Sequence, residues 1–247
     1  MQEFNYSFLA SFLLVAIAII YSYKEKLGVE KKIAVGSFLA FFQLILLGFI
    51  LSFLFSFESL TYYFGVWVFM CLYAAFVAQK RARIYENGFL ISLTVIGASS
   101  FCVLSLLLLI GAISLKAKEV IPLSGMIVGN ALNVYTQFAD RLKGEVRNRL
   151  AEVEGKIALG ADLPNATHEA TKAASKASLM PTLNTLHTVG LIHIPGVTVG
   201  MILAGASPMK AVSFQLVIMF MMVSVAMFSA IFGKILLVKK IVASVAP

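Results

Sequence analysis

The chain has 247 residues, 60% hydrophobic and only 13% charged, with a mean hydropathy of +0.92. A soluble domain typically runs about 45–50% apolar and about 25% charged, so this composition excludes a soluble enzyme, a nucleic-acid binder, a disulfide scaffold and a coiled coil. The charge is also clustered: seven stretches without Asp, Glu, Lys or Arg (4–23, 33–57, 59–79, 87–115, 120–139, 177–209 and 211–233) hold 171 residues, and all 32 charged residues fall in the other 76.

A bilayer core takes a run of roughly 20 apolar residues to span as a helix, and in hydrocarbon only a helix satisfies its own backbone. The sequence therefore predicts an all-α polytopic membrane protein with seven transmembrane helices, at about 4–23, 33–55, 60–79, 88–114, 120–139, 184–207 and 211–238. The first has no basic residues before it and lysines after it, so it is expected to persist as a span rather than be cleaved as a signal. Basic residues favour the cytoplasmic side. Segments 24–32, 80–86 and 140–176 and the tail carry 17 of the 20, while only Lys116, Lys118 and Lys210 fall on the other side. That asymmetry predicts an outside N-terminus and a cytoplasmic C-terminus. Net charge +8 is thus read as topology and not as a polyanionic partner. Cys71 and Cys102 fall mid-span and read as small buried hydrophobes.

The third and fourth spans lead to the fifth, which opens with Pro122 and small residues (Ser124, Gly125, Gly129) that permit close helix approach. Asn130, Asn133 and Gln137 on it are spaced 3 and 4, so they share a face; Gln43 sits midway along the second span. Unpaired amides are costly in lipid, so they face other helices or water, either as interhelical hydrogen bonds or as the lining of a polar pathway.

The long cytoplasmic segment, 140–183, follows. Leu142, Val146, Leu150, Val153 and Ile157 recur at steps of 4, 4, 3 and 4, a single helical stripe, among Lys143, Glu145, Arg147, Arg149, Glu152 and Glu154. This amphipathic helix is expected to continue the fifth span. Gly160 permits a sharp stop, and Pro164 suits the first turn of a next helix over about 165–180. An amphipathic helix can lie at a lipid interface, but a glycine reversal and a second helix favour docking of a partner.

In the sixth span, Pro195-Gly196 is expected to kink or break the helix, as interrupted helices do along transporter pathways; small-residue packing is the alternative. Met219, Met221, Met222 and Met227 crowd the seventh, where packing accounts for them. His187 and His193 share no helical face, and no metal-ligand set emerges. Asn165-Ala166-Thr167 matches a glycosylation sequon but lies on the predicted cytoplasmic side. No G-x-x-x-x-G-K-[ST] occurs, since Gly155-Lys156 and Gly233-Lys234 are each followed by Ile. The predicted spans contain no carboxylate, Arg or Lys of the kind that ion-coupled carriers use. Any energy source is thus expected in another subunit.

Lys24-Glu25-Lys26-Leu27, Gln43-Leu44, Ala78-Gln79-Lys80-Arg81, the block 121–132, Gly144-Glu145-Val146-Arg147, Leu159-Gly160-Ala161 and the stretch 181–208 together resemble the iron-export ABC permease family (FetB-type, with plant relatives linked to aluminium tolerance). Nearly the whole chain takes part. Leu39 stands where that family commonly has Arg, and Pro195-Gly196-Val197-Thr198-Val199-Gly200 lacks the two methionines of its pattern. The segment with Glu154 six before Gly160 is loosely similar to the EAA-type coupling loop of other ABC permeases. The resemblance implies one permease domain over 1–247, with 140–183 as its coupling segment. It is not an enzyme itself. It binds no cofactor and pairs with a cytoplasmic ATP-binding subunit that holds ATP and Mg. It implies a homodimer in the cell membrane that exports a metal ion such as iron. Arg147, Arg149, Leu150, Glu152, Val153, Glu154, Ile157 and Gly160 are the expected coupling residues, with Leu150, Val153 and Ile157 supplying buried contacts to the ATPase. Gln43, Asn130, Asn133, Pro195, Gly196 and Thr198 are the expected pathway residues. The alternatives are a secondary carrier, or an ABC permease for an organic, lipid or nucleotide-sugar substrate.

Overall fold

A computed structural model describes residues 7–82 and 87–245. Among these residues the regular structure is helix alone. The described residues pack as two compact units, one within 1–57 and one within 58–247.

In the first unit, α1 (Ser7–Lys24) and α2 (Glu30–Leu54) pack on each other. The reversal between them turns through Lys26 and Gly28, both at positive φ. Ser22 Oγ donates to Glu30 Oε1 at 2.8 Å across it, and the Phe12 and Phe41 rings meet edge-on at 5.5 Å. Leu14, Phe38, Leu44 and Phe49 are exposed, and α2 is apolar around its whole circumference. Such a helix belongs in lipid.

In the second unit, α3 (Leu60–Ala82), α4 (Gly88–Leu109), α8 (His168–Thr188) and α10 (Pro208–Val245) surround α5 (Ala117–Asn148). Tyr135, Phe138, Ile127, Ala131 and Leu142 of α5 are fully buried. Small residues admit it. Ala74, Ala78 and Ala82 bring α3 into the shared core, and Gly125 of α5 lies over the Met70 side chain. Three hydroxyl contacts tie the helices together: Ser92 Oγ to Tyr135 Oη at 3.0 Å, Ser229 Oγ to Ser99 Oγ at 3.0 Å, and Trp67 Nε1 to Ser100 Oγ at 3.1 Å. Bonds of this kind between membrane helices average about 0.6 kcal/mol, so they set register more than stability. Cys71 is buried and Cys102 half-buried, both as free thiols.

Among the described residues four helices are long and apolar enough to cross a membrane: Glu30–Leu51, Leu60–Ala82, Gly88–Leu109 and Pro208–Ser244. Over the first expected span α1 is helical from Ser7, with Ala10–Lys24 as its apolar stretch, and positions 4–6 lie outside the described residues. The fifth continues past 139 as the amphipathic stripe predicts: α5 runs on to Asn148, with one face buried and Lys118, Asn133, Gln137, Asp140 and Arg147 exposed. The sixth is not one helix. α8 continues through Pro181 to Thr188, residues 189–195 reverse, and α9 (Gly196–Leu203) spans eight residues, roughly 12 Å.

A Cβ on Gly233 of α10 would lie 3.1 Å from Cδ1 of buried Phe138. Gly233→Val is therefore expected to destabilise the α5–α10 contact by about 1–3 kcal/mol, read as a thermal midpoint several degrees lower in detergent. An unchanged midpoint would show that Phe138 moves freely.

Candidate functional site

α5, α8 and α10 enclose an open cavity of about 190 Å³. α5 contributes Asn130, Asn133, Val134 and Gln137; α8 contributes Ser178, Pro181, Thr182, Thr185 and Leu186; α10 contributes Met219 and Met222. The 3-and-4 spacing of the three amides thus gives one wall. Asn130 Nδ2 donates to the Met222 carbonyl at 2.8 Å, which locks the amide between two helices, while Asn130 Oδ1 makes no hydrogen bond among the described residues. Thr185 Oγ1 donates to the Pro181 carbonyl at 3.0 Å. Proline has no N–H to give the carbonyl four residues earlier, so α8 carries one unpaired rung beside the cavity. The lining combines amides, hydroxyls and thioethers with apolar Val134, Pro181 and Leu186, and carries no ionisable group among the described residues.

The other expected pathway residues lie elsewhere. Thr198 of α9 is buried, its Oγ1 donating to Gln215 Oε1 of α10 at 3.4 Å. Pro195 caps the start of α9 and Gly196 opens it. In the reversal before them Gly190 adopts φ +84°, with Gly190 N–H donating to the His193 carbonyl and Ile192 N–H to that of Thr188, both at 3.0 Å. Gln43 is exposed on α2 of the first unit, and the cavity lining does not include it. Ser178, Thr182, Thr185 and Gln215 were not singled out from the sequence. The signal was present in the first three, at steps of 4 and 3 across Pro181, but it was masked by placing a boundary near 183.

Beyond the cavity, α5 ends at Asn148. Arg149, at φ −114°, interrupts the helix before α6 (Leu150–Ala158). Gly160 closes α6 in a Schellman motif: Gly160 N–H donates to Ile157 O and Ala161 N–H to Lys156 O, both at 2.9 Å, with Gly160 at φ +91°. Nothing lies within 4 Å of a Cβ built there, so the backbone angle alone demands glycine. The Asp162 side chain accepts from Asn165 N–H at 3.1 Å and starts α7 (Leu163–Ala166), with Pro164 in its first turn as the sequence predicts.

Along α5 and α6, Arg141 and Arg149 flank Glu145, and Arg149 and Lys156 flank Glu152. The Lys156 hydrogen bond and charge hold the Glu152 carboxyl below its usual range. The expected coupling set therefore divides. Arg149 and Glu152 are engaged within the chain, whereas Arg147 and Glu154 are exposed and make no ion pair among the described residues. Leu150 is half-buried. Val153 is only 2% exposed, because the α6–α7 contact brings the returning chain over it, so it is not open to a partner as expected. The exposed apolar side chains at the tip are Ile157, at 43%, and Leu159, at 90%.

A family model described as an uncharacterised protein family, UPF0014, matches residues 5–242. The chain belongs to this family. It is 34% identical over 236 residues to the probable iron export permease protein FetB of Escherichia coli, covering 96% of this chain and 91% of that protein. It is 36% identical over 222 residues to protein ALUMINUM SENSITIVE 3 of Arabidopsis thaliana, covering 90% and 81%. It is 34% identical over 206 residues to the UPF0014 membrane protein YjkA of Bacillus subtilis, covering 83% and 82%. No solved structure matches the chain. Membership and the apolar helices make it a multi-pass membrane protein of the UPF0014 family.

Replacing Asn130 by Leu removes the α5–α10 amide bond, at a stability cost within about 2 kcal/mol, and lines the cavity with a branched alkyl group. Solute flux from loaded proteoliposomes is expected to fall at least about tenfold while the protein still inserts. Wild-type flux in Asn130→Leu would remove this cavity from the pathway.

Proposed function

We propose that the chain is the membrane subunit of an ABC exporter. It works as a homodimer with seven helical passes per protomer, an outside N-terminus and a cytoplasmic C-terminus, and a separate soluble subunit holds ATP and Mg. The observation that carries this reading is a mechanical one. The helix that walls the polar cavity with Asn130, Asn133 and Gln137 leads, through one interruption at Arg149, into a rigidly capped tip exposing Ile157 and Leu159. A subunit docking on that tip gains leverage on the cavity wall.

In this mechanism the ATP-binding subunit receives Leu159 and Ile157 in an apolar groove, while Arg147 and Glu154 orient the approach. Exposed charges at an interface act mainly on specificity and association rate. Closure of the ATPase dimer displaces α6, and α5 transmits the displacement because one of its faces packs along its length against α3, α4, α8 and α10. The far end of α8 yields at the 189–195 reversal, where Gly190 and the short α9 replace a continuous span. The cavity then opens to the other side. Its neutral oxygen and thioether donors hold a cation weakly, which suits release. A metal ion such as iron is the favoured cargo because the printed name of the Escherichia coli relative assigns iron export to that protein.

Co-expression with the ABC ATPase of the same genome, followed by co-purification and ATP hydrolysis in liposomes with and without Fe(II), tests the proposal. A stable complex with metal-stimulated hydrolysis is expected. A β-branched residue at φ +91° costs on the order of 1–3 kcal/mol, so Gly160→Val is expected to cut stimulated hydrolysis at least about fivefold while insertion persists. Unchanged coupling in Gly160→Val, or transport indifferent to an inactive ATPase, would overturn the reading.

A further inference from the structure

The C-terminal end of α10 forms a second concavity, separate from the polar cavity. α10 and the start of the α7–α8 turn enclose an open groove of about 600 Å³, lined by Leu163, Pro164, Lys234, Ile235, Val238 and Lys239 among others. Its floor is apolar and its rim carries two lysines. Neither lysine makes an ion pair among the described residues. The nearby carboxylate of Asp162 is engaged in capping α7.

The depth of the groove in the bilayer follows from the helix that builds it. Residues 211–233 are free of charge between Lys210 and Lys234, and α10 is helical throughout. At 1.5 Å per residue the run from Lys210 to Lys234 covers roughly 36 Å, against a hydrocarbon core of about 30 Å and about 40–45 Å with the headgroup regions. With Lys210 at one interface, Lys234 falls in the headgroup layer of the other, and Lys239 lies about one further turn out. Exposed Ile235 lies between the two lysines.

We infer that this groove binds an anionic phospholipid, its phosphate between Lys234 and Lys239 and its glycerol and upper acyl region against Ile235, Val238 and Leu163. Charge complementarity and depth both select this occupant. A free anion gains nothing from the apolar floor, and a neutral lipid gains nothing from the lysine pair. Basic pockets between helices at a membrane face take anionic headgroups on the same grounds. The inference rests on membrane insertion alone and does not depend on the ABC reading.

The full chain is purified in detergent after equilibration with vesicles of equal parts phosphatidylcholine and phosphatidylglycerol, and retained lipid per protomer is measured by mass spectrometry. Selective retention of phosphatidylglycerol is expected. Each lysine near an anionic surface is worth about a fivefold change, so K234Q/K239Q is expected to lower that retention at least about tenfold. K234R/K239R should keep it, and Lys210→Gln, at the opposite interface, should leave it unchanged. Ile235→Glu should reduce it without removing either lysine. Equal retention of the two lipids by the wild type would overturn the inference. So would undiminished phosphatidylglycerol in K234Q/K239Q, including the case in which that variant instead loses the ATPase, which would assign the groove to a protein partner.

Discussion

Burial of α5 is the constraint on which the second unit depends. A helix carrying the amides Asn130, Asn133 and Gln137 on one face cannot turn them to hydrocarbon without leaving them unpaired, whereas the Ser124 and Thr136 hydroxyls bond carbonyls of their own helix. The solution is enclosure by α3, α4, α8 and α10. Each neighbour meets it differently: alanines on α3, serines on α4, hydroxyls on α8, and Met222 with Gly233 on α10. The amide face is the one that enclosure leaves incompletely filled, and there the cavity forms. Packing and cavity are therefore one feature, since the amides that oblige the bundle to pack around α5 are those that line its gap.

The helix ends show how a buried rod is given movable extensions. Gly160 and Ala161 return two carbonyls' worth of hydrogen bonding to α6, so the tip is stiff although nothing packs around the glycine. Arg149, by contrast, sits between two helices with its side chain shared between Glu145 and Glu152. That arrangement holds an angle through charge rather than through apolar contact. Glu145 is buried but Arg149 and Glu152 are partly exposed, and charges that open to solvent add little stability. It restrains the α5–α6 angle without fixing it, as a lever joint requires. Acid weakens the joint in a defined direction. Glu152 is held below its ordinary value, so its pairing is present at neutral pH and is lost as pH falls through that lowered value.

Much of this architecture is legible in the sequence because hydrocarbon punishes charge. The charge-free runs locate α2, α3, α4 and the membrane part of α10 to within a few residues. The spacing of Asn130, Asn133 and Gln137 predicts their common wall, and Gly160 and Pro164 mark a stop and a start found where expected. Local chemistry misleads where it is overridden by packing. The sequence reads as one helix ending near 180 and a sixth span starting at 184, yet α8 passes unbroken through Pro181, where a missing rung is tolerated beside an open cavity. The stripe through Val153 reads as one face for one partner. Its period is right, but the chain returns over α6 at α7 and takes Val153 for itself, and no single-helix periodicity reports that return. Met219 and Met222 lie one turn apart on a methionine-rich helix, and only the arrangement of α8 separates them from Met221, which is buried in the core, and Met227, which is exposed.

The broken sixth element gives the remaining step. A helix that began at 184 and ran unbroken to 207 would tie α8 rigidly to α10 through the Thr198–Gln215 contact, and motion at the tip would be resisted by the whole bundle. The chain instead leaves α8 at Thr188, exposes Leu191 and Ile192 on a reversal shaped by Gly190, and re-enters at Pro195 with an eight-residue helix. Two backbone hydrogen bonds, Gly190 N–H to His193 O and Ile192 N–H to Thr188 O, replace what would have been a continuous ladder. α9 is thereby bonded laterally to α10 and joined to α8 through a reversal rather than a continuous helix. On the proposed mechanism α8, with its hydroxyl wall of Ser178, Thr182 and Thr185, is then the element that shifts against α5. An interruption that costs a span its helical continuity thus lies at the end of the helix that faces the amide wall of α5.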